Sequence, residues 1–182
     1  MIDARNYTAS ETLRDGAPVT VRAIRRDDGS GILAAFDRLD RESVYTRFFT
    51  YKKELSDADL KGLTDVDFDH VVALVVTANA GDIETLIGGG RYCSEAPLRG
   101  AQSAELAFIT ANDYRGRGVA GLILKHLVLI GRAQGVLRFE ADVLAQNQAM
   151  LAVFRHSGLA LKQQREGNVV HVVLPLATDT PR

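Results

Sequence analysis

Cysteine is nearly missing from this chain: Cys93 is the only one in 182 residues. No intrachain disulfide can form, and a reducing cytoplasm is the expected location. An excess of either charge is missing too. With 22 basic against 23 acidic residues the net charge is −1. That is too little to hold nucleic acid nonspecifically, so any anion site must be local. No apolar run is long enough to span a bilayer, and Met1 to Gly16 is polar, without the apolar centre of a signal peptide. Neither nucleic acid nor a membrane is an expected partner. Repeats, low-complexity tracts and linkers are also lacking. His70, His126, His156 and His171 have no metal-ligand spacing, so no metal is expected.

What remains is ordinary for a globular domain, with 46% hydrophobic and 25% charged residues. A chain of this size buries roughly two-thirds of the surface it would expose unfolded. The expected division is an N-terminal extension over 1–17, one domain over 18–176 and a tail over 177–182. Pro18 to Ile24 alternates as a half-buried strand. Asp27 or Asp28 can cap a helix whose Ile32, Leu33, Phe36 and Leu39 share one face. A second helix is expected from Arg41 to Phe49. Ser56-Asp57-Ala58-Asp59 opens a third that stops near Gly62.

His70–Thr77 and Ile83–Tyr92 are β-branched runs joined by Asn79-Ala80-Gly81-Asp82, a hairpin signal. Ser103–Thr110 reads as the next strand and Arg117–Ala133 as a helix ending towards Gly135. Val136–Val143 is a further strand with Leu137, Phe139, Ala141 and Val143 on one face. Asn147–His156 is a short helix stopped at Gly158. Leu159–Arg165 and Val169–Leu174 close a last hairpin. This order predicts an α/β (α+β) fold, a mixed and mostly antiparallel sheet with helices on both faces.

The most informative stretch runs from Glu105 to Ala120. A strand leads into a polar turn, then Arg115-Gly116-Arg117-Gly118, then an apolar helix. Helix-start N–H groups lack internal partners, and the macrodipole adds positive charge there, which suits a phosphate-bearing ligand. Gly116, Gly118 and Gly121 satisfy GxGxxG, with Glu140 nineteen residues on, the spacing of a dinucleotide fingerprint. Its context argues against that reading. The glycines do not follow the strand directly, and repeated βαβ units are missing. No Gly-Lys-Ser/Thr follows, so a triphosphate P-loop is excluded. A plain turn with solvated arginines is the remaining structural alternative.

Arg115-x-x-Gly118-x-Ala120 resembles the acetyl-CoA loop of the GNAT N-acetyltransferases, whose pattern is Gln/Arg-x-x-Gly-x-Gly/Ala. Asn147, Met150, Leu151, Phe154 and Gly158-Leu159 resemble that superfamily's next segment. Glu105-x-Ala107 followed by Asp113-Tyr114-Arg115-Gly116-Arg117-Gly118 is similar to bacterial protein-lysine acetyltransferases. So are Tyr45-x-Arg47-Phe48-Phe49 and the stretch from Leu63 through Val66-Asp67 to Val75.

The resemblance implies a GNAT-like fold with a splayed central strand pair and acetyl-CoA as co-substrate. Phe108, Ile109 and Thr110 would bond the pantetheine as an added strand does. The amides of Arg115, Gly116, Arg117, Gly118, Val119 and Ala120 would hold the pyrophosphate, and the two arginines would add charge. Asn147 would bond the pantetheine, cap its helix, or both. Glu105 is the implied general base. Keeping a lysine-type amine (pKa ~10.4) neutral near pH 7 costs roughly 4–5 kcal/mol, and a carboxylate offsets part of that. Phe154 stands where many relatives carry a tyrosine acid, so no general acid is assigned. The acceptor is an amine. A protein lysine, on an enzyme such as an acyl-CoA synthetase, is expected on family likeness alone. A small-molecule amine, a non-catalytic CoA-binding module and a dinucleotide-binding protein remain as alternatives. Cys93 has no evident histidine partner and is expected to be structural.

Overall fold

Val71–Ala80 forms a strand that is buried continuously from Val72 to Thr77. Such a run needs cover on both faces of its sheet, and it has it. The computed structural model describes residues 1–41, 44 and 53–177. Apart from Arg41 and Val44, the expected Arg41–Phe49 helix lies outside the described residues, as do Tyr45, Arg47, Phe48 and Phe49. In chain order the elements are β1 (Thr8–Thr12), β2 (Pro18–Ala23), α1 (Gly29–Asp37), α2 (Asp57–Thr64), β3 (Val71–Ala80), β4 (Ile83–Cys93) and β5 (Ala104–Thr110). Then follow α3 (Val119–Gln134), β6 (Arg138–Leu144), α4 (Gln148–Arg155), β7 (Lys162–Glu166) and β8 (Val169–Pro175).

One sheet has the order β1-β2-β3-β4-β5-β6-β8-β7. Its neighbours are antiparallel except β5 and β6, which run parallel around the α3 crossover. This is the mixed, mostly antiparallel sheet the sequence predicts, and it rules out the doubly wound sheet of the dinucleotide reading.

Helices cover both faces. A Cβ on Gly90 would stand 2.6 Å from Ile123, and one on Gly88 2.7 Å from Val119. These glycines therefore let α3 lie close against β4. On α1, a Cβ at Gly31 would meet Leu86 at 2.9 Å. Phe36, Val44 and Leu55 build a second, smaller core with Ile32, Leu39, Leu60 and Leu63 around them.

The start of α1 is anchored by charge. Arg22, buried in β2, donates two hydrogen bonds to Asp28, 2.9 and 2.7 Å, and one to Glu84, 2.7 Å. Asp28 also accepts the Arg25 amide at 2.7 Å. Burial pulls the Asp28 carboxyl up, but the Arg22 and Arg25 bonds hold it below the usual range. Asp28 thus precedes α1 as expected but makes no side-chain cap to it. Ser56 does cap α2, in a reciprocal box with Asp59.

Four expectations need correction. Thr8–Thr12, assigned no strand from sequence, pairs with β2 as β1. Leu33 faces solvent at 38% exposure, and Leu137 is 45% exposed and precedes β6. The helix opened by Ser56 passes through Gly62 to Thr64.

Candidate active site

β5 holds the centre of the site because its two edges are treated differently. Against β4 it pairs from Glu105, opposite Cys93, to Thr110, opposite Gly88. Against β6 it pairs only at Ala104–Phe139 and Glu105–Glu140. Beyond Glu105 the strands part, so Phe108, Ile109 and Thr110 lie on a stretch whose second edge is open. An open edge within a sheet offers main-chain donors and acceptors to an extended ligand.

The turn beyond β5 is shaped by two left-handed glycines, Gly116 with φ 73° and Gly118 with φ 92°. The first α3 bond runs from the Leu122 amide to the Gly118 carbonyl, 3.0 Å, and no side chain caps the helix. The amides of Val119 and Ala120 therefore precede the helical ladder. Arg115 differs, since its amide already donates to the Asn112 carbonyl at 3.3 Å.

Both arginine side chains are paired. Arg115 Nη1 lies 3.3 Å from Asp40 Oδ2. Arg117 Nε donates to Asp15 at 2.6 Å, and its guanidinium lies over the Tyr114 ring at 4.4 Å. The Ala17 amide and then Arg117 hold the Asp15 carboxyl below its usual range. Sequence reading missed Arg14 here. Its amide donates to the Arg117 carbonyl at 3.2 Å, and its Nε lies 3.2 Å from where a Gly118 Cβ would stand. No spacing could link the β1–β2 turn to Gly118 before the strands were in place.

Glu105 is exposed, on the strand face it shares with Ala107 and Ile109. It lines a hollow with Cys93, Ser103, Glu140, Asp142 and His171. Glu140 is held by Arg138 at 2.7 Å and lies 3.4 Å from His171, which is 2.8 Å from Asp142. Glu140, weighed from sequence as a ribose ligand, instead stands beside Glu105. From Glu105 to Thr110 the strand spans about 17 Å at roughly 3.3 Å per residue, a separation that suits a long ligand.

Asn147 is the N-cap of α4, its Oδ1 accepting the Met150 amide at 3.2 Å. Phe154 is 1% exposed and packs edge-on against Phe108, with centroids 6.1 Å apart. His126 is buried between Tyr7 and Glu11. Among the described residues no group of His, Cys, Asp and Glu could hold a metal, and no helix is long and apolar enough to cross a membrane.

A family profile described as Acetyltransferase (GNAT) family matches residues 35–159, more than half of the chain. The chain belongs to the GNAT family. Like other members of this family, the GNAT chain is an acetyl-CoA-dependent acetyltransferase. An acetyltransferase of Pseudomonas aeruginosa is 29% identical over 143 residues, covering 77% of this chain and 74% of that protein. The acetyltransferase Pat of Mycolicibacterium smegmatis is 31% identical over 140 residues. That match covers 76% of this chain but only 40% of Pat. The solved GNAT domain of S. lividans PAT superposes with a TM-score of 0.82 at 33% identity, covering 92% of this GNAT chain and 96% of that one.

The residues fit the co-substrate this family uses. A partly unpaired strand edge and an uncapped helix start adjoin at one end of β5, and Gly118 allows backbone to come close.

Proposed function

We propose that this acetyltransferase moves the acetyl group of acetyl-CoA to a primary amine by direct attack, with Glu105 as general base. Acetyl-CoA supplies the activated thioester. The main chain of Phe108, Ile109 and Thr110 hydrogen-bonds the pantetheine. The turn from Arg115 to Ala120 holds the pyrophosphate, through amides at Gly116 to Ala120 and through the arginine side chains. Asn147 keeps its Oδ1 on α4 and offers its side-chain N–H to the pantetheine. Glu105 accepts a proton from the amine, directly or through water, and Phe154 contributes none.

The observation that carries this reading is the edge of β5. It is open from Leu106 onward, with a carboxylate at its closed end and an uncapped helix start beyond its far end. Likeness to Pat and to the S. lividans PAT domain supports a protein lysine as acceptor, with an enzyme such as an acyl-CoA synthetase as the protein.

The test is an acceptor screen with labelled acetyl-CoA against small amines, lysine peptides and purified acyl-CoA synthetases. Label on a lysine side chain is the expected result. Label on small amines alone would remove the protein acceptor. No transfer to any amine, with acetyl-CoA still bound, would leave a CoA-binding module.

A further inference from the structure

Arg91 is a cation that forms no ion pair among the described residues. It sits in β4 opposite Ala73 on β3 and Ala107 on β5, with Gly89 two positions before it. All of these neighbours are small, so the sheet leaves room around a long side chain. Arg91 lines the apolar groove between the sheet and the first two helices, together with Ile32, Leu39, Leu63 and Ile109. Its Nε is buried without a hydrogen-bond partner. Among the described residues no carboxylate is paired with it, in contrast to Arg22, Arg115 and Arg117.

A guanidinium nitrogen buried without a partner is costly, whereas a planar carboxylate can take two of an arginine's donors at once. The position of Arg91 says where such a carboxylate would lie. Cys93 is opposite Glu105, and Arg91 is opposite Ala107, the next residue on the Glu105 face. Diagonal neighbours of this kind lie roughly 7–8 Å apart, their β-carbons somewhat closer, within joint reach of one small molecule or one short piece of peptide.

We propose that the acceptor carries a carboxylate beside its amine, bound by Arg91 while the amine faces Glu105. This deepens the amine-acceptor reading and rests on it. The carboxylate belongs either to an acidic residue next to the target lysine or to a free amino acid with an apolar side chain, which the groove would cover.

Release of CoA thiol with two matched pairs of acceptors tests this. One pair is a blocked lysine peptide with Glu beside the lysine and the same peptide with Gln. The other is leucine and leucinamide. The expected result is a KM about tenfold or more lower for the carboxylate-bearing member of one pair, and which pair responds names the source. In Arg91→Met that gap should close while the KM for acetyl-CoA holds, which also reports that the variant is folded. Equal KM within both pairs for the parent, or a gap that survives Arg91→Met, overturns the assignment and leaves amine acetylation standing. Transfer to none of the four, with acetyl-CoA still bound, overturns the assignment, and the amine reading then stands or falls by the wider acceptor screen.

Discussion

Glu105 stands opposite Glu140 at the last rung that joins β5 to β6. The two carboxylates are treated unequally. Glu140 has Arg138 at 2.7 Å and His171 at 3.4 Å, and Glu105 has neither. A carboxylate without these contacts, at the mouth of an opening sheet, is the one of the two placed to meet an incoming amine.

Glu105→Gln should therefore lower kcat by about 10²–10⁴, the usual contribution of a positioned base. Acetyl-CoA affinity, read by calorimetry, should stay as in the parent. A variant as fast as the parent would remove Glu105 from catalysis.

Gly118→Ala tests the turn. A side chain at φ 92° costs about 1–2 kcal/mol in the left-handed region, and its Cβ would press on Arg14 at 3.2–3.5 Å. A lower melting temperature and weaker acetyl-CoA binding are expected together. Unchanged binding would count against this turn as the phosphate site.

Arg22 and Asp28 form a buried pair, 3% and 6% exposed. Arg22→Met leaves Asp28 uncompensated and should cost about 3–5 kcal/mol in urea unfolding. The pair also sets an acid limit. The folded Asp28 carboxyl titrates below its unfolded value of 3.8, so its contribution is complete above that pH and is lost as pH falls through the folded value. Melting temperature against pH should drop below about 4 in the parent and drop less in Asp28→Asn.

Phe154→Tyr would place a hydroxyl where Phe154 is 1% exposed and packed on Phe108. A loss of about 1–3 kcal/mol with no gain in kcat is expected. A rise in kcat would reveal room for a proton donor on α4.

Local chemistry made much of this fold legible in the sequence. Gly135, left-handed at φ 78°, ends α3 where a glycine after an apolar helix said it would. The Ser56 box and the Gly81 hairpin are equally local. Features that depend on pairing were not legible. Thr-Ala-Ser-Glu-Thr has no apolar alternation and becomes β1 only because β2 offers it an edge. Leu33 follows the helical pattern yet faces water, since the second core is small and is filled by Phe36, Val44 and Leu55. Arg14, Glu140 and Arg91 reach the site across strands or turns distant in the chain. No spacing discloses Arg14 or Arg91, and the spacing that singled out Glu140 pointed to a different role.

The parallel junction leaves two half-sheets, β1 to β5 and β6 to β7, meeting at only Ala104–Phe139 and Glu105–Glu140. Anything bound along that seam ties the halves together and is lost when they separate. Heat resistance therefore becomes a measure of occupancy, rising with the logarithm of ligand concentration once the seam is mostly filled. Screening by melting alone can rank coenzyme analogues before any acceptor has been identified.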